Sequence, residues 1–535
     1  MSHIKKIRQS NNNQIKEVTM PFFVLQALFL IPIIVQAQTI EEIIIQQESK
    51  GVHWSISVVD EQGQSLESWN DQKWMVPASN MKLITSAAVL EELGSEFRYK
   101  TPIYVRGYLD DSTWVGDLMI VGKGDPSISG FLYEKNKYYV FEQIRELLKN
   151  AGISNWTGQW IGRLGYFDAE IYPKGWDWDD LNFYYGVEIS ELSFNNNAVD
   201  LEVLAEGEVG ATPQISWFPK QTDYVQFVNE QRIAPAHTKY DEYYRRSWQT
   251  NKLYLASSLP QGYKETESLA IYDAPAFFMD SFVDYLEANS MEDIVKYRAP
   301  YRIERWWPDL LKPSTTQTLI GLASEQLGSA LWSGYPPNWY STETASDPMT
   351  GWEYLGAVES PKLQKLITWL NKESDNFYAE MLLKTLSAET QPGPGSTSDG
   401  IKKVRKILGS MGLDTTYVVM RDGSGLAGGN FLTTSLLTDL LFSMLNSPNS
   451  HDFRGSLPVM GKDGTLHYRM KSSPLRGQVQ AKTGYVGGAR SLSGYLTTVL
   501  GNTLIFSMSA NNFAAKVSTI DAVHEKILTY LYYKY

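Results

Sequence analysis

A serine and a lysine three residues apart begin a predicted helix. Ser79-Asn80-Met81-Lys82 opens a stretch of helical apolar periodicity, which predicts a helix over residues 80–93. Because residues three apart share a helix face, the Lys82 amine can reach the Ser79 hydroxyl. A lysine whose pKa is lowered by burial can turn such a serine into a nucleophile. The helix N-terminus adds backbone N–H donors where an oxyanion would form. This spacing alone is a weak signal, since it recurs by chance.

A second group of polar residues, Ser374-Asp375-Asn376, lies inside or beside another helical pattern, predicted over residues 361–386. The Ser374 hydroxyl can relay a proton, and the Asn376 amide can orient a carbonyl group or the lysine. The same residues are also compatible with a simple helix interruption, because short polar side chains compete with the backbone for hydrogen bonds.

A third group, Lys482-Thr483-Gly484, lies on a predicted edge strand. Lys482 and Thr483 can hold a substrate carboxylate, and Gly484 leaves the strand surface clear for an extended peptide. An ordinary strand with a surface lysine would show the same letters.

The elements that must position these groups come from both ends of the chain. Strands are predicted at residues 54–59 and 478–510, and further helices at 433–445 and 514–532. Between residues 106 and 350 short strands alternate with turns, aromatic residues are dense and long helical patterns are scarce. The pattern predicts one α/β (α+β) domain, formed by residues 38–105 and 351–535, and split by a large, mainly β insertion at 106–350.

In this order the three groups resemble the signature set of penicillin-binding proteins and serine β-lactamases. The stretch from Lys82 to Ser374 is far longer than a β-lactamase needs. It resembles the class C low-molecular-mass penicillin-binding proteins, the D-alanyl-D-alanine carboxypeptidase/endopeptidase family, which carry inserted domains between the first two motifs. Segments 122–127, 192–197, 422–426 and 461–466 are also similar to family elements. The resemblance covers roughly residues 40–535 and is thin between 200 and 350.

The resemblance implies a penicillin-binding-protein/β-lactamase-like transpeptidase fold and a serine acyl-enzyme without cofactor. Ser79 would attack a D-alanyl carbonyl, Lys82 would accept its proton, and Ser374 would relay a proton to the leaving amine. The expected substrates are peptidoglycan peptides that end in D-Ala-D-Ala or are crosslinked through D-Ala, with β-lactam antibiotics as covalent inhibitors. The expected substrate-binding residues are Asn376, Lys482, Thr483, Gly484 and Tyr485, with the backbone N–H groups of Ser79 and Tyr485 forming the oxyanion hole.

Two other functions are compatible with these motifs, a serine β-lactamase and a non-catalytic protein. A class A β-lactamase uses a glutamate after the second motif, and no glutamate lies between Glu389 and Glu525. We therefore expect slow release of bound penicillin. A non-catalytic wall-binding or β-lactam-sensing protein would commonly lose the serine or lysine, and both are present. Carboxypeptidase and endopeptidase remain equally open, because both use the same groups.

The amino-terminal residues predict export. Basic residues precede an apolar run over residues 21–35, and Val35-Gln36-Ala37 offers a cleavage site. A membrane anchor is the alternative, but the run is shorter than the roughly 20 residues that a span requires. We therefore predict a signal peptide at residues 1–37 and an exported, periplasmic protein.

Composition excludes several function classes. The chain has no cysteine, which excludes disulfide scaffolds, thiolate zinc sites and cysteine nucleophiles. Its net charge of −12 disfavours nucleic acid as a partner. The six histidines show no metal-ligand spacing, so no metal is expected. The glycines at 423, 425 and 428 match a dinucleotide fingerprint after a predicted strand at 417–420, but no parallel βαβ context follows.

Overall fold

The computed structural model describes residues 39–48, 51–219, 222, 224–241, 243–289, 301–305 and 349–535. The predicted signal peptide at residues 1–37 lies outside the described residues and stays a prediction. Within these ranges, no helix is both long enough and apolar enough to cross a membrane.

The α-helices of these ranges are, in chain order, α1 (Ile40–Glu48), α2 (Met81–Leu93), α3 (Tyr139–Asn150), α4 (Ala274–Ala288), α5 (Leu363–Trp369), α6 (Asn376–Thr390), α7 (Thr397–Ser410), α8 (Thr434–Leu445), α9 (Ser450–Ser456) and α10 (Val517–Lys534). The β-strands are β1 (His53–Asp60), β2 (Ser65–Trp69), β3 (Lys100–Asp110), β4 (Thr113–Val121), β5 (Asn155–Thr157), β6 (Trp160–Leu164), β7 (Ala198–Leu204), β8 (Gln214–Phe218), β9 (Gln226–Asn229), β10 (Arg232–Ala234), β11 (Tyr244–Arg246), β12 (Lys252–Leu255), β13 (Ser258–Pro260), β14 (Lys264–Ala270), β15 (Tyr301–Arg305), β16 (Glu353–Glu359), β17 (Val479–Val486), β18 (Ala489–Thr497) and β19 (Thr503–Asn511).

A five-stranded antiparallel sheet joins the two ends of the chain. Its order is β17-β18-β19-β1-β2. Strand β1 lies against β19, with Trp54 opposite Ala510. Six consecutive residues of β1 are buried, so this strand is covered on both faces. The sheet confirms the predicted α/β domain that is split in sequence.

Helices cover both faces of this sheet. On one face, apolar residues of α1 and α10 pack against the side chains of β1 and β17–β19, around the fully buried Trp54. On the other face, α2 and α5–α8 form a second apolar cluster, which includes Ile84, Leu366 and Leu382. Helix α2 packs against α6 and α7 and is buried from Met81 to Leu90, so a lysine in its first turn is held away from solvent.

The segment between the first two motifs forms sheets of its own. A six-stranded sheet has the order β15-β6-β4-β3-β16, with β5 paired to β4. Strands β3 and β16 pair antiparallel, with Lys100 opposite Glu359, so the chain departs and returns side by side. Smaller sheets have the orders β14-β7-β8 and β11-β12-β9, and β10 pairs with β13. The predicted bounds of 38–105, 106–350 and 351–535 stay a prediction.

Three local expectations differ from the structure. The sequence pattern indicates few long helices in the insertion, but the structure contains α3 and α4 there. Most of the α4 side chains are buried, so its sequence shows little alternation of polar and apolar residues at helical spacing. The helix predicted over 361–386 is divided at a π-helical turn, Leu370–Ser374. The prediction of a strand at 417–420 is wrong. Thr415–Tyr417 forms a 3₁₀ turn, and Val419 makes an isolated β-bridge to Phe431 instead of belonging to a strand.

A buried histidine in α10 predicts how stability depends on pH. His524 is fully buried against Trp54, with ring centroids 5.4 Å apart, and neither ring nitrogen has a hydrogen-bond partner. Burial, and then Arg469 and Arg490, hold the pKa of His524 well below 6.5. Below pH ~6.5 His524 is therefore protonated in the unfolded chain but stays neutral in the folded chain. The free energy of unfolding then falls by at most about 1.4 kcal/mol per pH unit as the pH is lowered.

We expect His524→Leu to flatten the loss of stability between pH 7 and pH 5. Urea unfolding at several pH values measures it, with the exposed His451 changed to alanine as control. Identical pH slopes for His524→Leu and the wild type would contradict this account.

Candidate active site

Ser79 lies in a 3₁₀ turn, Ala78–Asn80, that leads directly into α2. Lys82 follows in the first turn of α2, and its Nζ lies 2.9 Å from Ser79 Oγ. The turn is closely packed from outside, since a Cβ on Gly425 would lie only 1.9 Å from the Ala78 O. The expected pairing of serine and lysine on one helix face is therefore present.

The Lys82 amine is completely buried and fully hydrogen-bonded. Besides Ser79 Oγ, it donates to Asn376 Oδ1 at 2.6 Å and to the Ser424 carbonyl oxygen at 2.7 Å. Burial lowers the pKa of Lys82 to about 8, against the opposing effects of the Asp422, Glu380 and Asp375 carboxylates. A fraction of the amine is therefore neutral near pH 7, which a surface lysine is not.

The orientation of the Asn376 amide is determined by a residue of the inserted segment. Asn376 Nδ2 donates to the Tyr185 carbonyl oxygen at 2.9 Å. A carbonyl oxygen can only accept, so the amide nitrogen must face Tyr185 and the amide oxygen must face Lys82.

These acceptors decide where a neutral Lys82 has its lone pair. A neutral amine keeps two N–H donors and one lone pair. Asn376 Oδ1 and the Ser424 carbonyl can take only donated hydrogens, so both N–H bonds point at them. The lone pair is left facing Ser79 Oγ, which can then donate its hydroxyl hydrogen. The geometry allows Lys82 to act as the base for Ser79.

Ser374 ends the π-helical turn before α6 and has a left-handed backbone, with φ 62°. The next residue, Asp375, caps α6 by accepting from the Tyr378 N–H at 3.1 Å. Trp369 Nε1 and Asn196 Nδ2 also donate to Asp375, at 3.1 and 3.0 Å. Since Asn196 belongs to the inserted segment, the insertion helps to hold the second motif in place.

The third motif lies on β17, the edge strand of the five-stranded sheet, as predicted. Lys482 is buried, and its Nζ donates to Ser374 Oγ at 2.7 Å and to the Thr483 carbonyl at 2.9 Å. Burial, with Lys82 nearby, holds the pKa of Lys482 well below its ordinary value. Thr483 Oγ1 donates to Thr465 Oγ1 at 2.8 Å.

Gly484 brings the edge strand close to Ser79. A Cβ at this position would lie 3.0 Å from the Ser79 N and 2.7 Å from the Pro77 O. Tyr485 follows on the same strand, with its side chain 56% exposed. The structure thus brings the three motifs into one site, and Tyr485 lies on β17 at the border of that site.

Sequence reasoning missed four residues that position this site. Tyr185 and Ser424 act through backbone carbonyls, which carry no side-chain signal. Asn196 and Ser424 lie in segments quoted for the family resemblance but not assigned as site residues. Glu380, in α6, is completely buried and accepts from the Gly423 and Ser424 N–H groups. A glutamate one helical turn after Asn376, between apolar residues on both sides, is the sequence signal that could have identified it.

The glycine-rich stretch at residues 422–428 has a structural part in this site. Asp422 accepts from the Gly425 and Ala427 N–H groups, at 2.8 and 2.7 Å, and from Trp176 Nε1 at 2.9 Å. The loop is therefore occupied by protein contacts and carries the carbonyl that Lys82 uses. In the described ranges, no cluster of three or more potential metal ligands occurs.

The fold places the protein among the penicillin-binding-protein/β-lactamase-like structures. Penicillin binding protein 4 (dacB) from Haemophilus influenzae superposes with a TM-score of 0.71 at 20% identity, covering 93% of this chain and 100% of that one. Its complex with a β-lactam superposes with a TM-score of 0.66 at 19% identity, over the same shares of both chains.

The chain belongs to the D-Ala-D-Ala carboxypeptidase 3 (S13) family, whose profile matches residues 36–300 and 341–528. A D-alanyl-D-alanine carboxypeptidase from Actinomadura sp. (strain R39) is 28% identical, over 92% of this chain and 84% of the relative. The D-alanyl-D-alanine carboxypeptidase DacB of H. influenzae is 23% identical, over 85% and 84%. The resemblance predicted from the motifs is confirmed, and the protein is a serine-type carboxypeptidase, a hydrolase.

The close approach of β17 to Ser79 gives a test of the site geometry. Gly484→Ala would force the edge strand away from the Ser79 N–H, so we expect kcat/KM for release of D-alanine from a D-Ala-D-Ala peptide to fall about 100-fold. Gly487→Ala is the matched control, because nothing lies within 4 Å of a Cβ there. Thermal melting of both variants checks folding. Equal activity of Gly484→Ala and Gly487→Ala would refute the assignment of this edge to the site.

Proposed function

We propose that this enzyme cleaves D-alanyl peptide bonds in peptidoglycan stem peptides through an acyl-enzyme on Ser79, and that β-lactams acylate the same serine. The observation that carries the proposal is the set of acceptors around Lys82. With its two N–H bonds directed at Asn376 and Ser424, the neutral amine has only Ser79 Oγ, 2.9 Å away, to deprotonate.

In acylation, Ser79 Oγ forms a bond to the D-alanyl carbonyl carbon as its proton passes to Lys82 Nζ. The carbonyl oxygen becomes an oxyanion, for which the N–H groups of Ser79 and Tyr485 are the proposed donors. The bare Gly484 backbone supports this, since it lets the strand and the nucleophile approach closely.

Collapse of the intermediate breaks the C–N bond, and the leaving nitrogen needs a proton. Ser374 Oγ is the proposed donor, and it takes a replacement proton from Lys482 Nζ at 2.7 Å. The lowered pKa of Lys482 favours this transfer. Water then attacks the ester and gives up a proton through Ser374 Oγ to the neutral Lys482 Nζ, which restores its ammonium form. The acid product leaves as the proton held by Lys82 returns to Ser79 Oγ.

Substrate binding is assigned to the edge strand. An extended peptide can lie beside β17, with its terminal carboxylate at Lys482 and Thr483. A free terminal D-alanine gives carboxypeptidase action, and a crosslinked D-alanyl bond gives endopeptidase action through the same groups. We propose both activities, with carboxypeptidase as the principal one because the relatives are named for it. The basic and apolar start of the chain supports export to the periplasm.

A first test is intact-mass spectrometry after incubation with benzylpenicillin. We expect a single, slowly lost adduct on the wild type and none on Ser79→Ala. Ser65→Ala, at an exposed position, is the control and should acylate normally. Rapid destruction of penicillin without an adduct would indicate a β-lactamase, and untouched penicillin would indicate a non-catalytic protein.

A second test is the pH dependence of acylation. Because burial lowers the pKa of Lys82 to about 8, the neutral base becomes more abundant as pH rises to that value. The acylation rate constant should therefore climb up to tenfold per pH unit below 8 and level off above it. Lys82→Arg, which cannot lose its proton, should show neither the rise nor significant acylation. A flat wild-type profile from pH 6 to 9 would exclude Lys82 as the base.

A third test separates the two peptidase activities. Purified enzyme is incubated with a linear D-Ala-D-Ala pentapeptide and with a D-alanyl-crosslinked dimer of the same peptides, and products are separated by chromatography. We expect release of D-alanine from the first and of two separate peptides from the second, both abolished in Ser79→Ala. An intact dimer beside a hydrolysed pentapeptide would restrict the function to carboxypeptidase.

A further inference from the structure

Glu380 is a buried carboxylate that the reaction described above does not use. It lies in α6, one turn after Asn376, and is completely inaccessible to solvent. Its Oε1 accepts from the Gly423 N–H at 2.9 Å and from the Ser424 N–H at 2.7 Å, and its Oε2 lies 3.0 Å from the Gly423 N. Both oxygens therefore hold one short piece of backbone.

That piece of backbone carries the acceptor on which the lone-pair direction of Lys82 depends. The Ser424 carbonyl oxygen takes one Lys82 N–H at 2.7 Å. The Gly423 carbonyl accepts from Thr85 Oγ1, also on α2, at 2.7 Å. Helix α6 therefore contacts Lys82 twice, directly through Asn376 and indirectly through Glu380 and this loop.

We propose that Glu380 is the positioning residue for the catalytic lysine: by holding the Gly423 and Ser424 N–H groups it keeps the Ser424 carbonyl on Lys82, and so directs the lysine lone pair at Ser79. The inference rests on the proposed function, in which Lys82 is the base. Glu380 also sets the charge around the amine, together with Asp422 from the loop, Asp375 from the start of α6 and Lys482 from β17.

The pKa shifts agree with this geometry. Burial, and then the Asp422 carboxylate, raise the pKa of Glu380 above its ordinary value, but both of its oxygens face only N–H donors of the loop, which favours its anion. The negative charge on Glu380 in turn opposes the lowering of the Lys82 pKa. Removing that charge therefore makes Lys82 easier to deprotonate, whereas losing the loop contact misdirects its lone pair.

Glu380→Gln separates positioning from a merely structural role. Glutamine keeps the size but turns one acceptor oxygen into an N–H₂ donor that faces N–H groups. We expect the maximal rate constant for penicillin acylation to fall about tenfold or more, with little change in the dissociation constant of the preceding complex. The rise of the pH profile should move to lower pH by about one unit.

Glu380→Asp keeps the charge but shortens the reach, so we expect a lower rate with the pH profile unmoved. Glu188→Gln is the matched control: Glu188 is equally buried and accepts from the Asp273 and Ala274 N–H groups, at 3.1 and 2.9 Å, inside the inserted segment. Its loss tests what removing a buried carboxylate does to folding alone.

If Glu380→Gln matches Glu188→Gln in rate and pH profile while the wild type acylates normally, Glu380 has no positioning role. Failure of the wild type itself to form an adduct would instead overturn the proposed function.

Discussion

A lysine amine can be buried away from water only if protein acceptors replace the hydrogen bonds that water made. The arrangement of the whole site follows from this requirement. Lys82 finds its acceptors in the 3₁₀ turn before its own helix, on α6 and on the loop after Met420. The acceptors from α6 and from the loop are each held by a further group, because the Tyr185 carbonyl accepts from Asn376 and Glu380 accepts from the Ser424 N–H. Lys82 can thus be buried only when segments that are distant in sequence have folded around it and supply these acceptors.

The inserted segment takes part in this arrangement. Tyr185 and Asn196 both contribute hydrogen bonds to the second motif, one to Asn376 and one to Asp375. The left-handed backbone at Ser374 is followed directly by the capped start of α6, so its conformation depends on the Asp375 contacts. The segment between the first two motifs therefore supports the second motif directly.

The motif residues could be predicted because their side chains and spacing are themselves the signal: a lysine three residues after a serine on a helix, and a lysine and glycine on an edge strand. The sheet built from both chain ends followed from apolar runs at residues 54–59 and 478–510. The supports were not predictable in the same way. A backbone carbonyl such as that of Tyr185 can belong to any residue type, so it leaves no signal in the sequence. The apolar pattern over 361–386 continues past Ser374, although the left-handed backbone there, with φ 62°, interrupts the helix. Which side chains reach across from another segment depends on tertiary contacts that periodicity does not encode.

The pairing of β1 with β19 has a consequence for when in its life the protein can act. Ribosomes make the amino-terminal strand first, yet its partner comprises Thr503–Asn511. The Asn511 side chain also accepts from the Val76 N–H, shortly before Ser79. Until β17–β19 have been synthesised, Ser79 therefore has no sheet behind it and no third motif beside it. The arrangement around Ser79 is therefore completed only after the chain has been made as far as β19.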